Sequence, residues 1–114
     1  MREVERQFIL TAAWLFLRHG CASRARMLIE ALVEDDPRDG VSAAAFSEML
    51  LEEGRAEDAL AVLRSADFPR KMARVEAILE ARSLVMSGRS GESERRWKRY
   101  VDSLKGGRRT WISQ

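Results

Sequence analysis

Hydrophobic residues recur at helical spacing along most of the chain, in blocks separated by Gly, Pro, Asp and Ser. Few residues are β-branched, and Ala, Leu, Glu and Arg are abundant, which favours helices over strands. The pattern predicts an all-α protein. The predicted helices cover about 5–18, 22–34, 41–53, 56–65, 71–86 and 90–103.

These helices follow a period of 34 residues, the distance that separates Gly20, Gly54 and Gly88. Five residues after each glycine comes a small residue, and four residues later a large apolar one. The small residues are Ala25, Ala59 and Ser93, and the large ones are Ile29, Leu63 and Trp97. This spacing is typical of tetratricopeptide repeats. It predicts one domain over 1–104, built of three helix-turn-helix units stacked as a short right-handed solenoid, followed by a basic tail at 105–114.

Each position in the period has a structural reason. Glycine can adopt the left-handed conformation that ends a helix, so we expect each glycine to close the first helix of its unit. The small residue lets the second helix pack closely on the first, and the large one fills the space between units. Pro37 ends the first unit, and Ser42 is predicted to cap the third helix. Pro69 comes early, which predicts a short or irregular fourth helix.

The repeat boundaries, about 6–39, 40–70 and 71–104, predict which residues face a concave groove. The groove residues come from the first helix of each unit, and most are apolar. The predicted partner-binding residues are Leu10, Trp14, Leu17, Leu51, Val75, Ile78, Arg82 and Val85. An apolar groove suits a hydrophobic segment, helical or extended, of another protein. Trp14 also admits a second interpretation, as a plain core residue.

The first predicted helix is hydrophobic nearly all round, because its outer positions are apolar as well. These outer residues are Phe8, Ile9, Leu15 and Phe16. One side of the helix faces the stack, so the other side is expected to meet a partner or a second copy of the chain.

Charge is unevenly distributed: residues 1–65 hold 8 basic and 12 acidic side chains, whereas residues 89–114 hold 8 and 3. The single cysteine, Cys21, cannot form an internal disulfide, which favours a reducing compartment. The stretch "MREVERQFIL" has no signal-peptide pattern, and the apolar run "FILTAAWLFL" is too short to span a bilayer. We therefore expect a cytoplasmic protein without direct membrane insertion.

Residues with catalytic or metal-binding potential are sparse. His19 is the only histidine, and no Cys or His spacing suggests a metal site. The sequence predicts no enzyme activity, no catalytic residue, no metal and no cofactor. A clamp for a peptide carboxylate is also disfavoured, because it needs Lys and Asn at groove positions that Leu10, Trp14 and Ala44 occupy.

The stretch "WLFLRHGCASRARMLIEAL", Trp14 to Leu32, resembles the first repeat of the YscY-like (SctY) chaperones of bacterial type III secretion. These are small cytosolic tetratricopeptide proteins. The resemblance implies a chaperone that binds a small secreted YscX-like protein and presents it to the cytoplasmic domain of the export gate, YscV, at the inner membrane. Ser93, Glu80 and the displaced Pro69 depart from the pattern in the later repeats.

Three alternatives remain open at the level of sequence. The first is a chaperone of the needle subunit or a generic tetratricopeptide scaffold for protein–protein interactions. The second is a homodimer that uses the first helix on itself. The third is a protein that binds nucleic acid or anionic lipid through its basic end, although a solvated helix face is the favoured explanation of that end. The basic residues in question are Arg95, Arg96, Lys98, Arg99, Arg108 and Arg109.

Overall fold

The computed structural model describes residues 1–112, with side chains described as far as residue 106. The all-α fold class is confirmed, since the described chain consists of helices and their connections. A single isolated bridge, between Asp39 and Asp67, is the only β-type pairing recorded in that part of the chain. The helices are α1 (Glu3–Arg18), α2 (Ala22–Asp35), α3 (Gly40–Glu52), α4 (Ala56–Ser65), α5 (Ala73–Met86) and α6 (Ser90–Ile112).

Three identical turns join the helices in pairs. Gly20, Gly54 and Gly88 have φ of 75°, 78° and 79°, so the predicted left-handed helix ends are confirmed. After each glycine, the next amide reaches back to a carbonyl five residues earlier; Arg55 N–H, for example, donates to Leu50 O at 2.8 Å. These bonds satisfy carbonyls that the helix end would otherwise leave unpaired.

Each pair is antiparallel, as contacts between distant residues show. In the first pair, Arg6 near the start of α1 bonds Asp35 at the end of α2, at 2.7 Å. In the third pair, Ser93 Oγ near the start of α6 donates to Ala81 O late in α5, at 2.8 Å. In the middle pair, Asp67 N–H, just beyond α4, donates to the carbonyl of Arg38, just before α3, at 2.8 Å.

Successive pairs share apolar clusters. Ala13, Ala25 and Ile29 are buried in a cluster of the first pair, against which Ala45 and Met49 of α3 pack. A second cluster joins the second and third pairs, and its buried residues are Leu50, Leu51, Ala56, Ala59, Leu63 and Leu79. The small residues of the period are buried in all three pairs. The right-handed tetratricopeptide stacking of these pairs stays a prediction.

Three local expectations were wrong. Asp39, not Ser42, caps α3: its carboxylate accepts the Ser42 N–H at 3.1 Å. Trp97 does not fill a space between units in the described part of the chain, because its side chain is 40 % exposed. Helix α6 continues to Ile112 instead of ending near 103, so most of the predicted tail is helical. The shortness of α4, at ten residues, is confirmed.

A polar network ties α1 to the α2–α3 junction. The Arg6 guanidinium donates to Asp35, Asp39 and Ser42 Oγ, the last at 2.9 Å, and also to the Leu32 carbonyl. Burial raises the pKa of Asp39, but the hydrogen bonds from Ser42 and the charge of Arg6 outweigh it and hold this pKa below its ordinary value of 3.8. The network fixes where α1 lies against α3.

Candidate partner-binding groove

Helices α1, α3 and α5 follow one another along the molecule and carry the predicted groove residues. Arg82 of α5 forms an ion pair with Glu48 of α3, with Nη1 to Oε2 at 2.8 Å. These residues are one period apart, so α3 and α5 lie side by side in matching register. The Arg6 network joins α1 to the start of α3 in the same series.

Most of the predicted groove residues are exposed to solvent. Leu10 is half-buried. The exposed ones are Trp14, Leu17, Val75, Ile78, Arg82 and Val85. The structure also exposes Val41 of α3, one period before Val75, and Met86 of α5, which follows Val85. Large apolar side chains left in water on helices α1 and α5 form a surface suited to binding another apolar surface.

Trp14 is 54 % exposed, so its interpretation as a core residue is wrong. The guanidinium carbon of Arg18 lies 4.8 Å from the centre of the Trp14 ring. The buried residue of α1 is its neighbour Ala13, which faces α2. Trp14 therefore presents a large apolar ring at the surface, held by one cation–π contact.

Leu51 is a correction to the predicted set: it is only 3 % exposed and belongs to the cluster between the second and third pairs. Leu17 and Val85 occupy the same repeat position in α1 and α5, and both are exposed. In the middle pair this position is covered by packing against α5, so Leu51 contributes to the core and is not accessible to a partner.

The Glu48–Arg82 pair divides the exposed apolar surface into two patches. The first, on α1, consists of Leu10, Trp14 and Leu17; the second, on α5, consists of Val75, Ile78 and Val85. Sequence reasoning included Arg82 as a binding residue but did not foresee its partner. Arg82 already pairs with Glu48 at 2.8 Å. A partner would therefore meet a neutral ion pair at this position and not a free cation.

The face of α1 opposite its buried side is also apolar. Val4, Phe8 and Leu15 lie along this face and are exposed, Phe8 by 75 %. We call these three residues the outer stripe of α1. The expectation that one side of this helix lacks intramolecular cover is confirmed for these residues, whereas Ile9 and Phe16 are half-buried.

The basic surface of α6 is less available than its composition suggests. Arg96 is half-buried and bonds Glu80 at 3.2 Å, which explains the acidic residue at a usually apolar repeat position. Burial and the charge of Glu80 raise the pKa of the nearby Glu76. Arg95 and Arg99 are exposed beside a cleft of about 210 Å³ that Glu80 and Glu92 also line. The side chains of Arg108 and Arg109 lie outside the described residues.

Among residues 1–112, no group of three or more His, Cys, Asp or Glu side chains could hold a metal ion. No helix there combines the length and apolar character that crossing a membrane requires. Comparisons of the chain with protein-family models, with curated proteins and with solved structures give no match.

Proposed function

We propose that this protein is a YscY-like chaperone of type III secretion that binds an apolar segment of a small secreted, YscX-like partner. In this proposal the three helix pairs form a short tetratricopeptide solenoid. The partner segment lies across α1, α3 and α5, where it covers the apolar patches on α1 and α5. The chaperone works in the cytoplasm and needs no chemistry, because binding alone keeps the partner soluble.

One observation carries the proposal: exposed apolar side chains recur at the same repeat positions on α1 and α5. Leu17 and Val85 are two periods apart, and both are exposed. Trp14 adds the aromatic anchor that is enriched at the energetic centres of protein interfaces. A helix with apolar residues spaced three and four apart would match a surface built in this way.

The identity of the partner rests on the resemblance of residues 14–32, as does delivery of the pair to the cytoplasmic domain of YscV at the inner-membrane export apparatus. A chaperone of the needle subunit and a generic interaction scaffold would use the same exposed residues. These alternatives differ in which protein is bound, so an experiment that identifies the bound protein separates them.

The test is co-expression of the tagged chain with each small open reading frame that neighbours its gene, followed by purification and mass measurement. We expect a stoichiometric, soluble complex with a small protein of YscX-like size. Leu17→Asp places a charge on the α1 patch, and Trp14→Ala removes its anchor. We expect either change to abolish co-purification while the far-ultraviolet circular dichroism stays that of the wild type.

Met27→Asp is the matched control, since Met27 is 71 % exposed but lies on α2, away from the groove helices. We expect this variant to retain the partner. Equal loss of binding in Met27→Asp and Leu17→Asp would refute the groove. Co-purification of the needle subunit instead would assign the protein to the sister class, and failure with every secretion-related neighbour would remove the chaperone proposal.

A further inference from the structure

The interface between the first and second pairs shows how one unit covers the next. Ala13, Ala25 and Ile29 form the surface that the first pair offers. Ala45 and Met49 of α3 pack against it, and Ile29 is left only 3 % exposed. The second pair is covered in the same way by α5, since Leu63, one period after Ile29, is 1 % exposed.

The equivalent surface of the third pair is less completely covered, since Ala81 is half-buried and Trp97 is exposed, although Ser93 is buried. Two periods after Ala13, Ala25 and Ile29 come Ala81, Ser93 and Trp97. A cleft of about 280 Å³ opens there, between α5 and α6, and is lined by Ala81, Ser93 and their neighbours Arg82, Val85 and Met86. Trp97 and Val85 border this end and are 40 % and 53 % exposed. We call this surface the open end of α5 and α6.

The opposite end of the molecule carries the complementary surface. One period before Ala45 and Met49, the residues of α3 that pack against the preceding pair, come Thr11 and Leu15 of α1. Both are exposed, on the same face as Val4 and Phe8 of the outer stripe. Helix α1 therefore presents the face that α3 and α5 use inside the molecule, and the described residues leave this face exposed.

We propose that copies of this chain associate head to tail, with the outer stripe of α1 in one copy seated on the open end of α5 and α6 in the next. This contact continues the packing that already joins the three pairs within one chain. It goes beyond the proposed function, because it uses the two ends of the molecule instead of the surface across α1, α3 and α5.

The sizes of the side chains favour a second copy as the occupant. The cleft is walled by the small residues Ala81 and Ser93, whereas the outer stripe supplies the large side chains of Phe8 and Leu15. Charge does not oppose this contact, because the two acidic and two basic side chains of Glu3–Arg18 balance. In the register of the Glu48–Arg82 pair, Arg82 of one copy would face Trp14 of the next, a favourable cation–π arrangement.

A head-to-tail contact leaves both outer ends free, so association does not stop at a dimer unless a ring closes. The chain alone, without any partner, is the sample for the test. In sedimentation velocity, we expect the average mass of the wild type to rise with protein concentration beyond that of a dimer. A wild type that stays monomeric up to about 1 mM, the weakest affinity of interest, would overturn the proposal.

Two variants each block one end. Phe8→Arg disables the outer stripe, and Val85→Arg disables the open end; Trp97→Arg is a second open-end variant that lies outside the groove set. We expect each to weaken self-association by about 100-fold, because a charge cannot be buried there without a partner. Met27→Arg is the control: the equivalent residues Ala61 and Arg95 are exposed in the other pairs, so we expect wild-type association.

Mixing the variants decides the geometry. Phe8→Arg keeps its open end and Val85→Arg keeps its outer stripe, so we expect an equimolar mixture to form one-to-one dimers and nothing larger. A symmetric contact of α1 with α1 predicts a different pattern, in which Val85→Arg still self-associates and the mixture gives no mixed dimer. That pattern, or a loss of association in Met27→Arg, would overturn the head-to-tail contact. Circular dichroism of each variant verifies that it is folded.

Discussion

At the scale of single residues, how many groups an arginine binds and how buried they are depend on where the fold places it. Arg6 reaches four acceptors that lie between 26 and 36 residues away in sequence. Arg38 pairs with Asp67 in the open, with both side chains mostly exposed. Nothing in the sequence distinguishes these two arginines, because only the antiparallel packing of the helices brings their partners near.

Replacing Arg6 by Ala is therefore expected to cost far more stability than replacing Arg38 by Ala. The first change removes the cation beside Asp39 and the Arg6 hydrogen bonds to Ser42 Oγ and the Leu32 carbonyl in a partly buried site, which we expect to cost about 2–3 kcal/mol of unfolding free energy. The second removes an exposed pair worth less than about 1 kcal/mol. Urea denaturation of both variants measures the difference, and similar losses would contradict the role given to the network.

At the scale of helices, the three glycines made most boundaries predictable. The predicted helix ends agree with the structure to within two residues everywhere except the end of α6. A left-handed glycine is a local requirement of the chain, so its position can be read without knowing the fold. Nothing local marks the end of α6 in the same way: "KGG" at 105–107 predicts a stop, yet the helix continues to Ile112.

Burial was harder to predict from the sequence than the helix ends were, because the burial of a residue depends on neighbouring helices. Leu17, Leu51 and Val85 share one repeat position and a similar chemistry, yet only Leu51 is buried. It lies in the middle pair, which has another pair on both sides, whereas the flanking positions lie on the terminal pairs. A groove inferred from repeat positions alone therefore includes residues that the middle of the stack has already covered.

This difference gives a direct prediction for two matched substitutions. Leu51→Ala leaves a cavity in the shared cluster, and we expect it to lower the unfolding free energy by about 2–4 kcal/mol. Leu17→Ala shortens an exposed side chain, and we expect a loss below about 1 kcal/mol. Thermal and urea unfolding of the two variants provide the comparison. If Leu17→Ala is as costly as Leu51→Ala, Leu17 is a core residue and the α1 patch does not exist.

At the scale of the whole molecule, the two proposed interactions use different parts of the surface. The apolar patches of α1 and α5 are assigned to a partner, and the two ends are assigned to further copies of the chain. Composition alone pointed also to the basic end, where Arg96 is bound to Glu80 while Arg95 and Arg99 stay exposed beside the adjacent cleft. Which partner is bound was inferred from a resemblance over residues 14–32, since apolar patches select a chemistry but not a particular protein.

The proposed function requires that a partner bind across α1 and α5. Hydrogen–deuterium exchange of the chain, alone and in the complex obtained by co-expression, tests it most directly, because it maps the covered surface without any substitution. We predict slower exchange on binding in peptides that cover residues 10–18 and 73–86, with little change in α2 and in residues 90–106 of α6. Protection confined to α2, α4 and α6, with α1 and α5 unchanged, would contradict the account.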